Sequence, residues 1–377
     1  MFTTDRSTIY RDRSFNKGWL PRRIEQSSGD QQQRYCAGMR AVWVTRYGGF
    51  EVLAVRTTPD PAPAPGELTI RVTAAGLTFA DVMARQGLYP DAPKPPCVVG
   101  YEVAGTVAEL GEGVQAPEVG RPVLALTRFG GHAELVRVPA QQVIELPDDV
   151  DLIAAAALPV NYLTAYHMLF RVANLRAGER VLLHMAAGGV GISVLQLCRT
   201  VPDVEVFGTA SAAKHEVLRA EGCAHRIDPR MVDYVAEVRR LTGGQGVNIV
   251  LDPLGGSDSR RGLRLLRPAG RLVTYGYANL AGGERRRLLR VAGQILSMPV
   301  LTPLALMNAN RTVAGVNVGR LWSEAEMLHE ELSNVVDLWH TGAISPRVDS
   351  IYPFDDATEA HRRLTDRANV GKVILVP

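Results

Sequence analysis

The stretch Val181-Leu-Leu-His-Met-Ala-Ala-Gly-Gly-Val-Gly191 decides how this chain of 377 residues is read. An apolar run of strand type enters a turn of small residues, and Val190 to Arg199 follows with helical spacing. Ala186, Gly188 and Gly191 fall on the G-x-G-x-x-G spacing, with Ala in the first place. Small residues suit a backbone that turns sharply and approaches a pyrophosphate. The helix behind it offers free N–H groups and the positive end of its dipole. A glycine-rich turn that only packs helix on strand would use the same residues, so the surroundings must decide. Downstream, Val204 to Phe207 reads as a strand, Ala213 to Glu221 as a helix, and the alternation continues through 234–241, 247–251, 262–266 and 271–275. Repeated βα units of this kind build a doubly wound parallel sheet, which favours dinucleotide binding.

Upstream the grammar differs. Met39 to Thr45, Leu68 to Ala74, Val98 to Val107, Arg121 to Leu126 and His132 to Val138 are short strands punctuated by Gly and Pro. Their spacing predicts an irregular, largely antiparallel β domain. Leu152 to Phe170 is apolar and helical in length. Beyond Gly315 come helices over 324–340 and 355–364 and a last strand, Lys372 to Val376.

Composition narrows the classes. With 46% hydrophobic and 21% charged residues the chain is globular, and its formal charge of +3 is matched by the basic excess of residues 1–38 alone. The rest is neutral, which argues against a nucleic-acid binder. Cys36, Cys97, Cys198 and Cys223 stand singly, as in a reducing cytosol. No apolar run reaches membrane-spanning length, so a cytoplasmic protein is expected. Residues 1–38 show no period and read as a flexible tail.

The cofactor follows from the next strand. An NAD site places Asp or Glu about 20 residues beyond the loop to accept from the ribose. Here no acid occurs from Val206 to His215. Ser211 and Lys214 can instead meet a 2′-phosphate, so NADPH is expected. The competing reading is a capping Ser and a solvated Lys.

Gly76-Leu-Thr-Phe-Ala-Asp81, Arg85-Gln-Gly-Leu-Tyr89, Gly100-Tyr-Glu-Val-Ala-Gly105, Asn161-Tyr-Leu-Thr-Ala-Tyr166 and Asp252-Pro-Leu-Gly-Gly-Ser-Asp258 carry a wider likeness. Residues 39–377 resemble the medium-chain dehydrogenase/reductase superfamily in its zinc-independent quinone-oxidoreductase branch. The likeness is greatest to the synaptic-vesicle amine-transport membrane protein and its bacterial relatives. The resemblance implies a Rossmann sheet inserted in a GroES-like, largely β catalytic domain, and usually a homodimer. It divides the chain into 39–163 (catalytic), 164–315 (Rossmann) and 316–377 (catalytic return). At the positions of the superfamily's zinc ligands stand Phe79 or Ala80, Tyr101 before Glu102, and Asn161, so no metal is expected.

The resemblance also implies sites. Thr78, Asp81 and Tyr162 are the catalytic candidates. Thr78 replaces an Asn of the branch and Met83 a Tyr, which leaves the proton donor open between Tyr101, Tyr162 and solvent. Asp81 reads equally well as a helix-capping acid and Tyr162 as core packing. The cofactor candidates are Asn161, Thr164, Gly188, Gly189, Val190, Thr209, Ser211, Lys214, Tyr275, Gly276, Val316, Asn317, Asn369 and Lys372. Pro229 stands where the branch has a Tyr over the NADPH phosphate.

The function expected is NADPH-dependent reduction of a quinone or an α,β-unsaturated carbonyl. The alternatives are a biosynthetic enoyl or ketone reductase and an NADPH-binding adaptor with little turnover. Residues 284–296 form a basic amphipathic helix, read first as cover for the Rossmann domain and second as a peripheral membrane contact.

Overall fold

The computed structural model describes residues 38–280, 283–284 and 288–377. The tail expected over 1–38 lies outside these but for Gly38, as do Arg285, Arg286 and Arg287 of the basic helix, whose described part is Leu288–Leu296.

Six parallel strands form one sheet. Their order is His225–Ile227, Glu205–Thr209, Arg180–Leu183, Val247–Asp252, Leu266–Thr274 and Thr312–Gly315. Numbered along the chain this is 3-2-1-4-5-6, the dinucleotide-binding order, which reverses beside the first strand. That strand, Arg180–Leu183, is buried on both faces. Val181 and Leu183 enter one core with Leu195 and Leu332, and Leu182 enters the other with Phe207 and Leu272. Burial on both sides explains the unbroken apolar run in the sequence.

The β domain is built from a seven-stranded sheet and a three-stranded one. The larger sheet runs Val348–Pro353, Lys372–Val376, Glu67–Leu77, Glu102–Leu110, Pro122–Leu126 and Val143–Glu145, with Leu135–Pro139 also paired to Glu67–Leu77. It is antiparallel except for its first pair. The C-terminal strands thus complete a sheet begun some 300 residues earlier in the chain, as an inserted Rossmann sheet requires.

Three expectations change. The strand expected over 98–107 is broken at Gly100, whose φ of 108° turns the chain between Cys97–Val98 and Glu102–Leu110. The helix expected over 152–170 splits into Leu152–Ala155 and Pro159–Tyr166, because Pro159 can begin a helix but not continue one, and a π-turn, His167–Val172, follows. Residues 257–263 are a helix that precedes the Leu266–Thr274 strand.

Candidate active site

The strand Arg180–Leu183 delivers the phosphate loop. Met185 takes a φ of 54°, Gly188 caps the helix Gly189–Cys198 without a side-chain partner, and the first turn of that helix faces outward from the sheet's C-terminal edge. A β-carbon on Gly191 would collide with the Ala186 carbonyl, and one on Gly189 with the Asn161 amide. These glycines therefore exist for close approach, of helix to strand and of loop to the helix Pro159–Tyr166. Thr209 lies behind the loop. Its hydroxyl accepts from Met185 N at 3.3 Å and stands 3.1 Å from His184 Nδ1, so it braces the turn.

At the end of Glu205–Thr209 no carboxylate follows. Ser211 opens the 3-10 turn Ala212–Lys214, and Lys214 Nζ donates to the carbonyls of Arg367 and Asn369, both at 2.7 Å. Burial pushes the Lys214 ammonium pKa down, Asp349 opposes this, and Arg363 and Arg230 add to it. Cationic side chains therefore gather where a 2′-phosphate is expected. Asp228 ties the two loops together: it accepts from Ala212 N at 2.8 Å and Arg230 N at 2.9 Å, and these bonds hold its pKa below the ordinary value. Arg230 and Arg363 are absent from the sequence candidates. Pro229, noted as a departure, sits beside the first, and nothing local in the sequence marks the second.

The C-terminal segment covers this groove. Gly371 N donates to Ala187 O at 3.0 Å, which joins the segment to the phosphate loop, and Asn369 Nδ2 caps the turn on Gly371 O at 2.8 Å. Lys372, expected to reach the cofactor, does not. Its side chain is 2% exposed and ion-paired with Glu102 inside the β domain. The second oxygen of Glu102 accepts from Val160 N at 2.6 Å, so this pair anchors the start of the helix carrying Asn161 and Thr164. The strand Lys372–Val376 is buried from Lys372 to Leu375, so the ammonium is held in the β domain and not at the cofactor.

The nicotinamide-side candidates line up along the sheet's C-terminal edge. Tyr275 N bonds to Asp252 O at 3.0 Å and Val316 N to Thr274 O at 2.9 Å, which places Gly276 and Asn317 just past the strand ends. Asn161 and Thr164, one helical turn apart, are both nearly buried.

The three catalytic candidates are structural. Thr78 caps the helix Phe79–Gln86, and its hydroxyl donates to Asp81 Oδ2 at 2.7 Å. Asp81 is fully buried. Oδ2 also accepts from Thr78 N at 2.8 Å, and Oδ1 accepts from Gly100 N at 2.9 Å. Neither side chain has a group free for a substrate. Tyr162 is 2% exposed and spends its hydroxyl on Gln196 Oε1 at 2.7 Å, in the core between helices.

A different hydroxyl lies beside Asn317. Tyr89 is half-buried, and its hydroxyl donates to Asn317 Oδ1 at 3.3 Å. Tyr101 meets it edge-on, centroids 6.0 Å apart, and packs on Phe129 at 4.9 Å. Burial raises the pKa of both phenols, and the nearby Asp81 and Asp91 carboxylates raise them further. The sequence held Tyr89 only as part of a family motif.

A phosphate loop on a parallel sheet, inserted in a β domain with a returning C-terminal strand, defines a class of nucleotide-dependent oxidoreductases. Residues 64–148 match the family described as Alcohol dehydrogenase GroES-like domain, and residues 222–375 that described as Zinc-binding dehydrogenase. The synaptic vesicle membrane protein VAT-1 homolog of Mus musculus is 47% identical over 341 residues, covering 90% of this chain and 84% of that protein. The crystal structure of the human VAT-1 homolog-like protein covers 90% of this chain and 98% of its own at 39% identity, with a TM-score of 0.78. That of Escherichia coli quinone oxidoreductase, complexed with NADPH, covers 90% and 100% at 27% identity, with a TM-score of 0.79. The chain belongs to the medium-chain dehydrogenase/reductase superfamily, close to the VAT-1 homologs and the quinone oxidoreductases.

The residues do not fit the zinc that one family description implies. Glu102 is committed to Lys372 and Val160, Tyr101 to its aromatic neighbours, and Asn161 packs on Gly189. Among the described residues no three His, Cys, Asp or Glu side chains gather as metal ligands.

Proposed function

We propose that this chain is an NADPH-dependent, zinc-free reductase that passes hydride to a quinone or an α,β-unsaturated carbonyl and works as a homodimer. The observation that carries the reading is the placing of Tyr89 and Tyr101 beside Asn317, at the same edge of the parallel sheet as the phosphate loop.

When bound, NADPH supplies the hydride. The backbone of Gly188, Gly189 and Val190 and the helix start behind it receive the pyrophosphate. Ser211 and Lys214, with Arg230 near, meet the 2′-phosphate. Asn161, Thr164, Tyr275, Gly276, Val316 and Asn317 border the nicotinamide. Adding hydride to an electrophilic carbon drives negative charge onto the conjugated oxygen. Tyr89 turns its hydroxyl from Asn317 to that oxygen, and Tyr101 supports its ring edge-on. Because burial raises both phenol pKa values, the two hydroxyls keep their protons and act as hydrogen-bond donors. Solvent then protonates the product. Among the described residues the strand Thr312–Gly315 ends the sheet with one side unpaired, which supports pairing with a second copy.

The test follows NADPH consumption with 9,10-phenanthrenequinone and a panel of enones. Turnover with NADPH well above that with NADH, and lost in Tyr89→Phe, is expected. NADPH binding without turnover on any acceptor would overturn the reductase. The reading left standing would then be a binding protein that docks through residues 289–307, where Leu289 is 91% and Val300 92% exposed. The vesicle-membrane name of the relatives and this apolar face favour it, although no described helix is long and apolar enough to cross a membrane.

A further inference from the structure

Two contacts fasten the loop that follows the helix Phe79–Gln86 to the turn that leaves the six-stranded sheet. The first is the bond from Tyr89 to Asn317. In the second, Arg320 Nε and Nη2 clasp the two oxygens of Asp91 at 2.8 and 2.9 Å. Both partners lie more than two hundred residues away in sequence, so only the folded chain brings them together. Gly319 sits between the two contacts. A β-carbon there would stand 2.9 Å from the Tyr89 hydroxyl and 3.2 Å from Asn317 Oδ1, so a larger residue would push the phenol or the amide aside. Each side is a tight turn: Ala92 N bonds to Tyr89 O at 3.2 Å, and Arg320 N to Asn317 O at 2.9 Å.

The Asp91–Arg320 pair is a weak stabiliser, because Arg320 is 62% and Asp91 30% exposed. It is a good aligner. A bidentate guanidinium–carboxylate contact fixes a plane as well as a distance. Asp91 stands two residues after Tyr89 in the same turn, so the pair holds the turn that carries the phenol.

We propose that Asp91, Arg320 and Gly319 form a positioning clamp that aims the Tyr89 hydroxyl into the reaction cleft and governs turnover without touching substrate or cofactor. The clamp rests on the reading of Tyr89 as donor to the acceptor's oxygen. Its exposed ion pair also makes turnover sensitive to ionic strength, since salt screens charges separated from bulk water by little protein.

Full-length Tyr89→Phe, Asp91→Asn, Gly319→Ala and the swap Asp91→Arg with Arg320→Asp would be compared with NADPH and 9,10-phenanthrenequinone. NADPH affinity would be read by nicotinamide fluorescence, and hydrogen exchange over 88–96 and 316–321 by mass spectrometry. Misaiming a reacting group by an ångström costs up to about a hundredfold, so Asp91→Asn and Gly319→Ala should each lower kcat about tenfold or more. NADPH affinity should stay unchanged and exchange in both peptides should rise in Asp91→Asn. The swap should restore most of kcat, and added salt should slow the native chain more than Asp91→Asn.

If Tyr89→Phe is impaired while Asp91→Asn keeps native kcat and exchange, the clamp is wrong and the reading of Tyr89 stands. An Asp91→Asn loss that appears equally in NADPH affinity would make the pair merely structural and sink the clamp. A fully active Tyr89→Phe, or native protein without turnover on this quinone, overturns the Tyr89 reading and the clamp together.

Discussion

Lys214 donates its ammonium to the carbonyl oxygen of Asn369 at 2.7 Å, 155 residues further along the chain. The bond holds the C-terminal segment against the turn after Glu205–Thr209, and so joins the cofactor groove to its cover. Replacing Lys214 by Glu removes the charge beside the 2′-phosphate site. A charged hydrogen bond contributes about 2 kcal/mol, so the NADPH Kd should rise about 30-fold. NADH should be affected far less, in a fluorescence titration of each. Equal losses would mean that Lys214 only anchors residues 367–369.

The Glu102–Lys372 pair is buried on both sides. Removing one partner strands a charge, and Lys372→Met should cost about 3 kcal/mol or more in urea unfolding. The double variant Glu102→Gln with Lys372→Met should recover most of that. NADPH affinity of the single variant, measured where it is still folded, should be native. A selective loss of affinity would return Lys372 to the cofactor site.

Tyr162→Phe distinguishes a core hydroxyl from a catalytic one. The variant loses one buried hydrogen bond to Gln196, worth about 1 kcal/mol of stability. Gln196 Oε1 still accepts from Ser345 N at 2.8 Å, so the core stays satisfied. Turnover should be unchanged, and a large fall in kcat at native stability would restore Tyr162 as a catalytic residue.

Asp349 contributes to the response to acid. Burial pushes its carboxyl pKa up, but Arg363, the Val370 N–H and Ser350 outweigh this and hold it below the ordinary value. A depressed folded pKa gives stability that is complete above the unfolded pKa, near about 3.9, and lost as pH falls through the folded one. The native chain should therefore weaken steeply below about pH 4. Asp349→Asn should be less stable at neutral pH and lose less across the acid range. Parallel urea midpoints at several pH values would show this, and identical slopes would refute it.

Much of the proposed cofactor site was legible from local pattern. The phosphate loop, the missing acid before Ser211 and the cation at Lys214 all depend on residues a few positions apart, and the backbone of a βα unit places such residues in a fixed way. Asp81 was also legible as a helix-capping acid, and the structure pairs it with Thr78 in a capping box. On the proposed substrate side Tyr101 and Asn317 were named as candidates through the resemblance but Tyr89 was not, because no periodicity connects the segments that bring the three together.

The sequence by itself determined the parallel sheet, the nucleotide loop and the family, because these rest on short-range spacing and on alternating burial. Tertiary structure alone decided which polar side chains are spent and which are free. Lys372 and Lys214 are both isolated lysines, yet one meets Glu102 in a core and the other bonds the carbonyls of the C-terminal segment. Tyr162 and Tyr89 differ in the same way. A side chain's direction is fixed by what packs against it, and here the partners lie 34, 155, 228 and 270 residues away.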